Sequence, residues 1–393
     1  MEFDERILIS GAGIAGLTLA VLLKEKGYDP LVVERDEALP SEGYMMDFFG
    51  SGWDVAERMG LTDQLRALRY PIDALMFVDG HGVSYASVPI SRIARALQGN
   101  YVYLRRSDLV RILHERAKDS GIEIRFGTEI TELDDKGASV HVTFADGNED
   151  DYALVLGADG VHSAVRHLAF GEERQFARFL GAYVAAFHLT DHEFPLGTAM
   201  KLHEETNRVS AYYPLDGTRL DATYVFRHEE VHVPRARQLA FVRKAYEGSG
   251  WIGERMLEAY HDKEPIFFDT LTQIAMLRWS RGRVALLGDA CGCLTLLAGQ
   301  GSHMAMAGAY VLVRELERHD GNYAAAFNAY EVKLKPAVAA RQEDAATFAK
   351  VFIPSAQSRP WLRRLVTKTL FRPLVLPLVF KAFDAKSILE GYD

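Results

Sequence analysis

Residues 6–35 read RILISGAGIAGLTLAVLLKEKGYDPLVVER, and the way this stretch folds sets the architecture of the whole chain. Arg6 to Ser10 is a short apolar run leading straight into GAGIAG. LTLAVLLKEKG then carries apolar residues at helical spacing and stops at Gly27. Leu31 to Arg35 reads as a second buried strand, so the order is strand, turn, helix, strand: a βαβ unit of a parallel sheet. Gly11, Gly13 and Gly16 satisfy the G-x-G-x-x-G spacing. The first glycine allows a tight turn, the second lets a pyrophosphate approach the backbone, and the third lets helix and strand touch. Free amides in the first helical turn, where Ala15 lies, face the phosphates. Glu34, with Arg35 beside it, ends the second strand, where a carboxylate accepts hydrogen bonds from an adenosine ribose. The stretch therefore predicts a dinucleotide site.

The rest of the chain bounds that site. At 393 residues it exceeds one ordinary compact domain, and its 48% hydrophobic content is that of a globular protein, so two interleaved domains are expected. A net charge of −9 and no basic block long enough to follow a phosphate backbone argue against nucleic acid and for a small-molecule partner. MEFDERILIS has acids where a signal peptide would have a basic segment, so a cytoplasmic protein is expected. No internal repeat or low-complexity tract interrupts it.

Asp54 to Leu68 reads as a helix, and YLRRSDLVRILHERAKDSG as another, with Ser107 as its cap and Gly121 as its stop. TEITELDDKGASVHVTFADG alternates as a β-meander with an Asp-Gly turn. AYVAAFHL and DATYVF, between Gly181 and Phe226, belong to a separate sheet, followed by a helical stretch near Arg235 to Tyr260. RVALLGDA returns to the first domain as a buried strand, and a long helix begins after Gly301. We expect a dinucleotide-binding domain from 1–70, 100–180 and 276–345, a substrate domain from 71–99 and 181–275, and a helical segment over 346–393. The last stretch, from Ser355, has seven Lys or Arg against three acids and mixes Trp361, Leu370, Leu374, Leu376 and Phe380 with Pro373 and Pro377. It is too charged and too broken by proline to span a bilayer; packing on its own protein or on a second subunit is the first reading, contact with a membrane surface the second.

GDACGCLTLLAGQG, residues 288–301, sets an acid, two cysteines and a glycine pair close together. No histidine pair at ligand spacing accompanies Cys291 and Cys293, so no metal is expected, and the two thiols read as small packing residues. Two cysteines spaced i, i+2 rarely meet the geometry of a disulfide. Asp289 ends a buried strand and can accept hydrogen bonds from sugar hydroxyls, while Gly299 and Gly301 let backbone lie against a flat ring.

This stretch, VLGADGVHSAVR with Asp159 and Gly160, and Arg106 in RRSDLVRIL together resemble the class A flavoprotein monooxygenases, the family of para-hydroxybenzoate hydroxylase. The resemblance runs from the N-terminus to about Arg341. It implies an α/β fold: a Rossmann-like FAD-binding domain of the glutathione-reductase type, an interleaved β-sheet substrate domain and a C-terminal helical tail. It also implies that the fingerprint holds FAD non-covalently rather than NAD. Asp289 would bind the ribityl or pyrophosphate region, Arg106 the FAD chain, and Asp159 with Gly160 a region shared with transient NAD(P)H. The helix that starts at Gly301 and Ser302 would aim its amides at the pyrimidine end of the flavin. NAD(P)H and dioxygen would then serve hydroxylation of a small aromatic or polyketide-like substrate through a flavin C4a-hydroperoxide, the flavin carrying the chemistry with no catalytic side chain assigned.

The departures from that pattern are also informative. Many members of the family it resembles have Ala-Ala-His after the aspartate, proline at Leu296 and asparagine at His303, whereas this chain has Cys291, Gly292, Leu296 and His303. His303 reads as a helix-start packing residue before a proton-transfer group. Met46 and Phe48, with Met45, either line the pocket or form an ordinary core strand. Tyr213 of AYYPLDG, Leu296 and Leu297 complete the pocket residues expected here, and the apolar loop favours a bulky substrate. A reductase of the same fold acting on prenyl chains, or a flavin-binding protein without turnover, are the rival readings. A homodimer stays open.

Overall fold

The computed structural model describes residues 6–39, 44–68, 70, 72–97, 99–190, 194, 197–261, 266–370 and 387–392. Arg6–Ser10 pairs in parallel with Asp29–Val33 on one side and Leu154–Gly157 on the other. These are the inner strands of a six-stranded sheet completed by Glu123–Arg125, Val284–Leu286 and Ser280–Arg281. The strands read as continuous apolar runs because both faces are covered. Helix Ile14–Glu25 covers one of them, and its residues Leu17, Leu19, Val21 and Leu23 are fully buried. Each such side chain contributes about 1.5–3 kcal/mol by leaving water. Helix Gly301–Arg318 packs on Ile14–Glu25, so the chain's last third is fixed to its first turn.

A seven-stranded sheet forms the second layer, in the order Phe267–Ile274, Ala177–Leu189, Leu220–Arg227, Arg208–Pro214, Ala199–Glu205, Ala74–Val78, Ser84–Pro89. Its strands have two differently employed faces. Tyr183, Phe187, Tyr212, Tyr224 and Phe226 pack beneath Val242 and Met256 of the helices Gln238–Ala245 and Gly253–Ala259 and beneath Tyr246, which caps the first of them. Ala182, Val184, Val225 and Leu271 face the other way, onto Leu296, Leu297 and Ile353. The predicted meander is the three-stranded sheet of Ile130–Asp135, Val140–Phe144 and Glu149–Tyr152, with Gly147 at φ 82° in its Asp-Gly turn.

Two local expectations are corrected and a third is resolved further. The Asp54–Leu68 helix is two, Gly50–Arg58 and Thr62–Ala67, because Gly60 adopts φ 71° between them. Arg105, not Ser107, stands at the cap position of the helix Arg106–Asp119, and no side chain caps it: the preceding strand runs directly into the helix, which leaves Ser107 inside the first turn. The helical stretch near Arg235 to Tyr260 is found as a 3-10 turn, Arg235–Arg237, and two short helices, Gln238–Ala245 and Gly253–Ala259.

In the tail, helix Pro360–Leu370 lies along the Ser84–Pro89 strand, with Arg363 2.7 Å from Glu204 and Arg364 over the ring of Tyr85. The Tyr392 hydroxyl donates to Glu315 at 2.6 Å, returning the final described residues to helix Gly301–Arg318. Pro373, Leu374, Leu376, Pro377 and Phe380 lie outside the described residues. Among those described, no helix is long and apolar enough to cross a membrane.

Candidate functional site

A cavity of about 530 Å³ lies where the two sheets meet. Gly11, with φ 107°, turns the chain out of the first strand; a Cβ there would sit 2.6 Å from the Ala158 carbonyl oxygen. A Cβ on Gly16 would come 1.9 Å from the Gly11 carbonyl oxygen, so only glycine lets the helix start against the turn. Gly16 thus shapes the cavity from beneath, while Gly11, Gly13 and Ala15 line it. No side chain caps the Ile14–Glu25 helix, so its first amides are available to an anion. Glu34 lines the cavity with Arg35 and accepts from the Ala12 amide at 2.8 Å and the Asp36 amide at 3.1 Å.

Arg106, Asp289, Gly299, Gly301 and Ser302 line the same cavity. Asp289 has an exposed side chain that lines the cavity, although protein packs closely around its carboxyl. Burial pushes its carboxyl up from the ordinary range, and Arg106 opposes the shift. Asp159 lines the cavity as well, but its oxygens are taken up within the protein: they accept from Ser163 Oγ at 2.5 Å, from the Val165 amide at 3.0 Å and from Ser10 Oγ at 3.4 Å. Gly160, which also lines the cavity, is left as the open part of that motif. Met46 and Leu296 line the cavity; Phe48, Tyr213 and Leu297 do not. Phe48 is fully buried beside Trp53 and His303, Tyr213 lies 5.8 Å from the Tyr103 ring, and Leu297 packs on the sheet.

His303 is buried between Phe48 and Phe49 with Nε2 3.1 Å from the Asp47 carbonyl oxygen. Burial pulls it down to about 4, so it is neutral and packs. Cys291 and Cys293 are buried thiols pushed well above their usual range by burial, which removes nucleophilic character. Cys293 also lines the cavity, with its sulfur 3.4 Å from the Thr272 carbonyl oxygen.

Three arrangements are not legible in the sequence, the first of them made by Arg166 of the VLGADGVHSAVR motif. Arg166, fully buried, donates to the Ala290 carbonyl at 3.0 Å, the Val161 carbonyl at 2.7 Å and Glu173 at 2.7 Å, tying the two later motifs together. His162 lines the cavity between Glu173 at 3.1 Å and Asp269 at 3.5 Å; hydrogen bonds to Asp269 and then Glu173 push it up to about 10, so it is a cation. Glu173 and Asp269 are too distant in sequence to be paired with it by spacing. Thr295 holds φ 114°, strained for a β-branched residue, and its buried hydroxyl in the cavity wall has no partner among the described residues.

The chain matches the family model described as FAD binding domain over residues 4–331. A flavin-dependent monooxygenase from an unknown prokaryotic organism is 33% identical over 344 residues, spanning 86% of this chain and 87% of that protein. The chain belongs to the class A flavoprotein monooxygenases. Another flavin-dependent monooxygenase, from Legionella longbeachae serogroup 1 (strain NSW150), is 31% identical over 349 residues, spanning 87% and 88%. The crystal structure of tetracycline destructase Tet(55) superposes with a TM-score of 0.81 at 30% identity, covering 93% of this chain and 96% of that one.

The monooxygenase's own residues fit FAD. The uncapped helix start suits a pyrophosphate, Asp289 beside Arg106 suits a polyol next to it, and the bare backbone at Gly299 and Gly301 admits a flat ring.

Proposed function

We propose that this monooxygenase holds FAD non-covalently, takes electrons from NAD(P)H and oxygen from dioxygen, and hydroxylates a small aromatic or polyketide-like molecule. One observation carries the reading: the fingerprint turn, Glu34, Arg106, Asp289 and the Gly301 helix start all line one cavity, which the seven-stranded sheet closes with Phe267, Thr270 and Thr272. FAD, when bound, supplies the redox chemistry and the activation of dioxygen.

The protein's part is placement and electrostatics. Amides at the Ile14 helix start would neutralise the phosphates, and Glu34 would accept from the ribose. Asp289 would accept from the ribityl hydroxyls. Gly301 and Ser302, whose amides have no intrahelical acceptor, would stabilise negative charge at the pyrimidine edge. Leu296 and Met46 supply an apolar wall that keeps water from the reacting centre. No pair of side chains suited to acid–base exchange is needed. The likeness to a tetracycline destructase favours a bulky ring system over a small acid as substrate.

Turnover with labelled dioxygen tests this. One labelled atom should enter the product while NAD(P)H is consumed, and product formed at full rate without dioxygen would overturn the reading.

A further inference from the structure

Helix Pro360–Leu370 is mounted inside out. A surface helix of a globular protein normally turns its apolar stripe to the core and its charges to water. Here Trp361, Leu362, Leu365 and Val366, spaced so that they share one face, are 62%, 44%, 54% and 48% exposed. Arg363 and Thr367, on the opposite side, are the half-buried positions. Arg363 fastens the helix: it donates to the Glu204 carboxylate at 2.7 Å and to the Val351 and Phe352 carbonyls at 2.6 Å and 3.2 Å. Arg364 lies over the ring of Tyr85, whose hydroxyl donates to the same Glu204 at 3.1 Å. Cations hold the helix down, and its apolar stripe stays uncovered. A single exposed leucine is ordinary, but a contiguous stripe of large apolar side chains marks a contact surface.

The charge around the stripe identifies what it meets. From Ser355 to Lys381 the sequence has six Lys or Arg and no acid, in a chain whose net charge is −9. Arg364 and Lys368, three and seven residues after Trp361, border the stripe. Arg359 and Lys368 are exposed and form no ion pair among the described residues. Tryptophan and aliphatic side chains with a cationic border suit the headgroup layer of an anionic membrane, where the helix lies flat rather than crossing. A second copy of the chain fits less well. One face of this eleven-residue helix is about 16 Å by 10 Å, far below the roughly 800 Å² that each partner of a stable complex buries. Two such helices would also bring like charges together. The seven-stranded sheet keeps the stripe away from the cofactor: the helix lies on one edge strand, Ser84–Pro89, and the other edge strand, Phe267–Ile274, lines the cavity.

We propose that helix Pro360–Leu370 seats the enzyme on an anionic lipid surface. Trp361, Leu362, Leu365 and Val366 enter the boundary between headgroups and acyl chains, and Arg359, Arg364 and Lys368 meet the lipid phosphates. Arg363 stays with Glu204 and ties the helix to the protein. Binding is interfacial and in large part electrostatic, so salt weakens it.

The test uses the FAD-loaded full chain and two kinds of vesicle, pure phosphatidylcholine and an equal mixture of phosphatidylcholine with phosphatidylglycerol, read by co-sedimentation. The mixed vesicles should bind the enzyme at least roughly tenfold more tightly, and high salt should erase the difference. Trp53 and Trp279 are buried and Trp251 is half-buried, so brominated acyl chains should quench the emission of Trp361, and Trp361→Phe should remove that quenching. Leu365→Ser combined with Val366→Ser should weaken binding to the mixed vesicles roughly tenfold or more. Arg359→Glu combined with Lys368→Glu should abolish the preference for phosphatidylglycerol. Both double variants should keep the parent's FAD content. Failure to sediment with the mixed vesicles, equal binding to both kinds, no quenching of Trp361, or unchanged affinity in the serine variant would overturn the proposal. A dimer in solution that the two serines dissociate would overturn it as well, since the stripe would then belong to a second copy. The quenching is read on the unaltered chain, so it decides even where a variant fails to fold, and none of these readouts uses turnover.

Discussion

The fingerprint turn and the sheet strand Phe267–Ile274 line the same cavity but are made of different material. The first is backbone: glycines, an uncapped helix start, and one carboxylate clasping the turn through the Ala12 amide at 2.8 Å. The second is side chains: Phe267, Asp269, Thr270 and Thr272, with Leu296 added from the loop opposite in sequence. A backbone-built wall tolerates almost no change, because every atom is fixed by the fold, and it suits the invariant part of a ligand, its phosphates. A side-chain wall can be redrawn one residue at a time without disturbing the strand ladder, and it suits the part of the ligand that differs from one enzyme to the next.

If that contrast holds, the largest single effect should come from Gly16→Ala. Its Cβ would lie 1.9 Å from a backbone oxygen, a clash that no rotamer relieves, so the loss should exceed the roughly 1–3 kcal/mol usual for overpacking. Urea denaturation and flavin content measure it, and wild-type stability with full FAD would break the comparison at its first term.

Asp289→Ala should be milder. It leaves buried sugar hydroxyls without an acceptor at a cost of about 1–3 kcal/mol, or roughly fivefold to 150-fold in FAD affinity. Titration of the apoprotein by flavin fluorescence reads this directly. Unchanged affinity in a folded variant would move the ribityl group elsewhere.

Leu296→Asn probes the side-chain wall. Polar atoms there should admit water, raising hydrogen peroxide per NAD(P)H on the order of twofold, while FAD affinity stays within about twofold of the parent. A drop in FAD affinity as large as that of Asp289→Ala would mean the two walls are not separable.

The two walls also differ in how far they could be read from the sequence. Gly11, Gly13, Gly16 and Glu34 are legible because their work is local: a turn, a helix start and the end of the next strand, all within one βαβ unit. Asp289 and Gly301 are legible for the same reason, each standing at an element's end. The side-chain wall was not so readable. Met46 reaches the cavity while Phe48, two residues on, packs on Trp53 and His303, because the cavity ends between them and no periodicity marks that edge. Tyr213 turns to Tyr103, and Leu297 to the sheet, through contacts with partners far away in sequence.

By itself, then, the sequence determined the parallel βαβ core, the dinucleotide fingerprint and the return of the chain at residues 284–301, since each rests on backbone conformation within a few residues of the motif. Tertiary structure alone decided which polar groups meet. His162 became a cation only when Glu173 and Asp269 closed on it. Arg166 became the tie between two motifs only when Ala290 came within reach of its guanidinium. Arg105 found Asp221 from 116 positions away, the separation of 221 and 105 in the chain. The physical reason is range: a turn or helix end is fixed by neighbours along the chain, whereas charge and hydrogen bonding act at a few ångströms between residues that only the completed fold brings together.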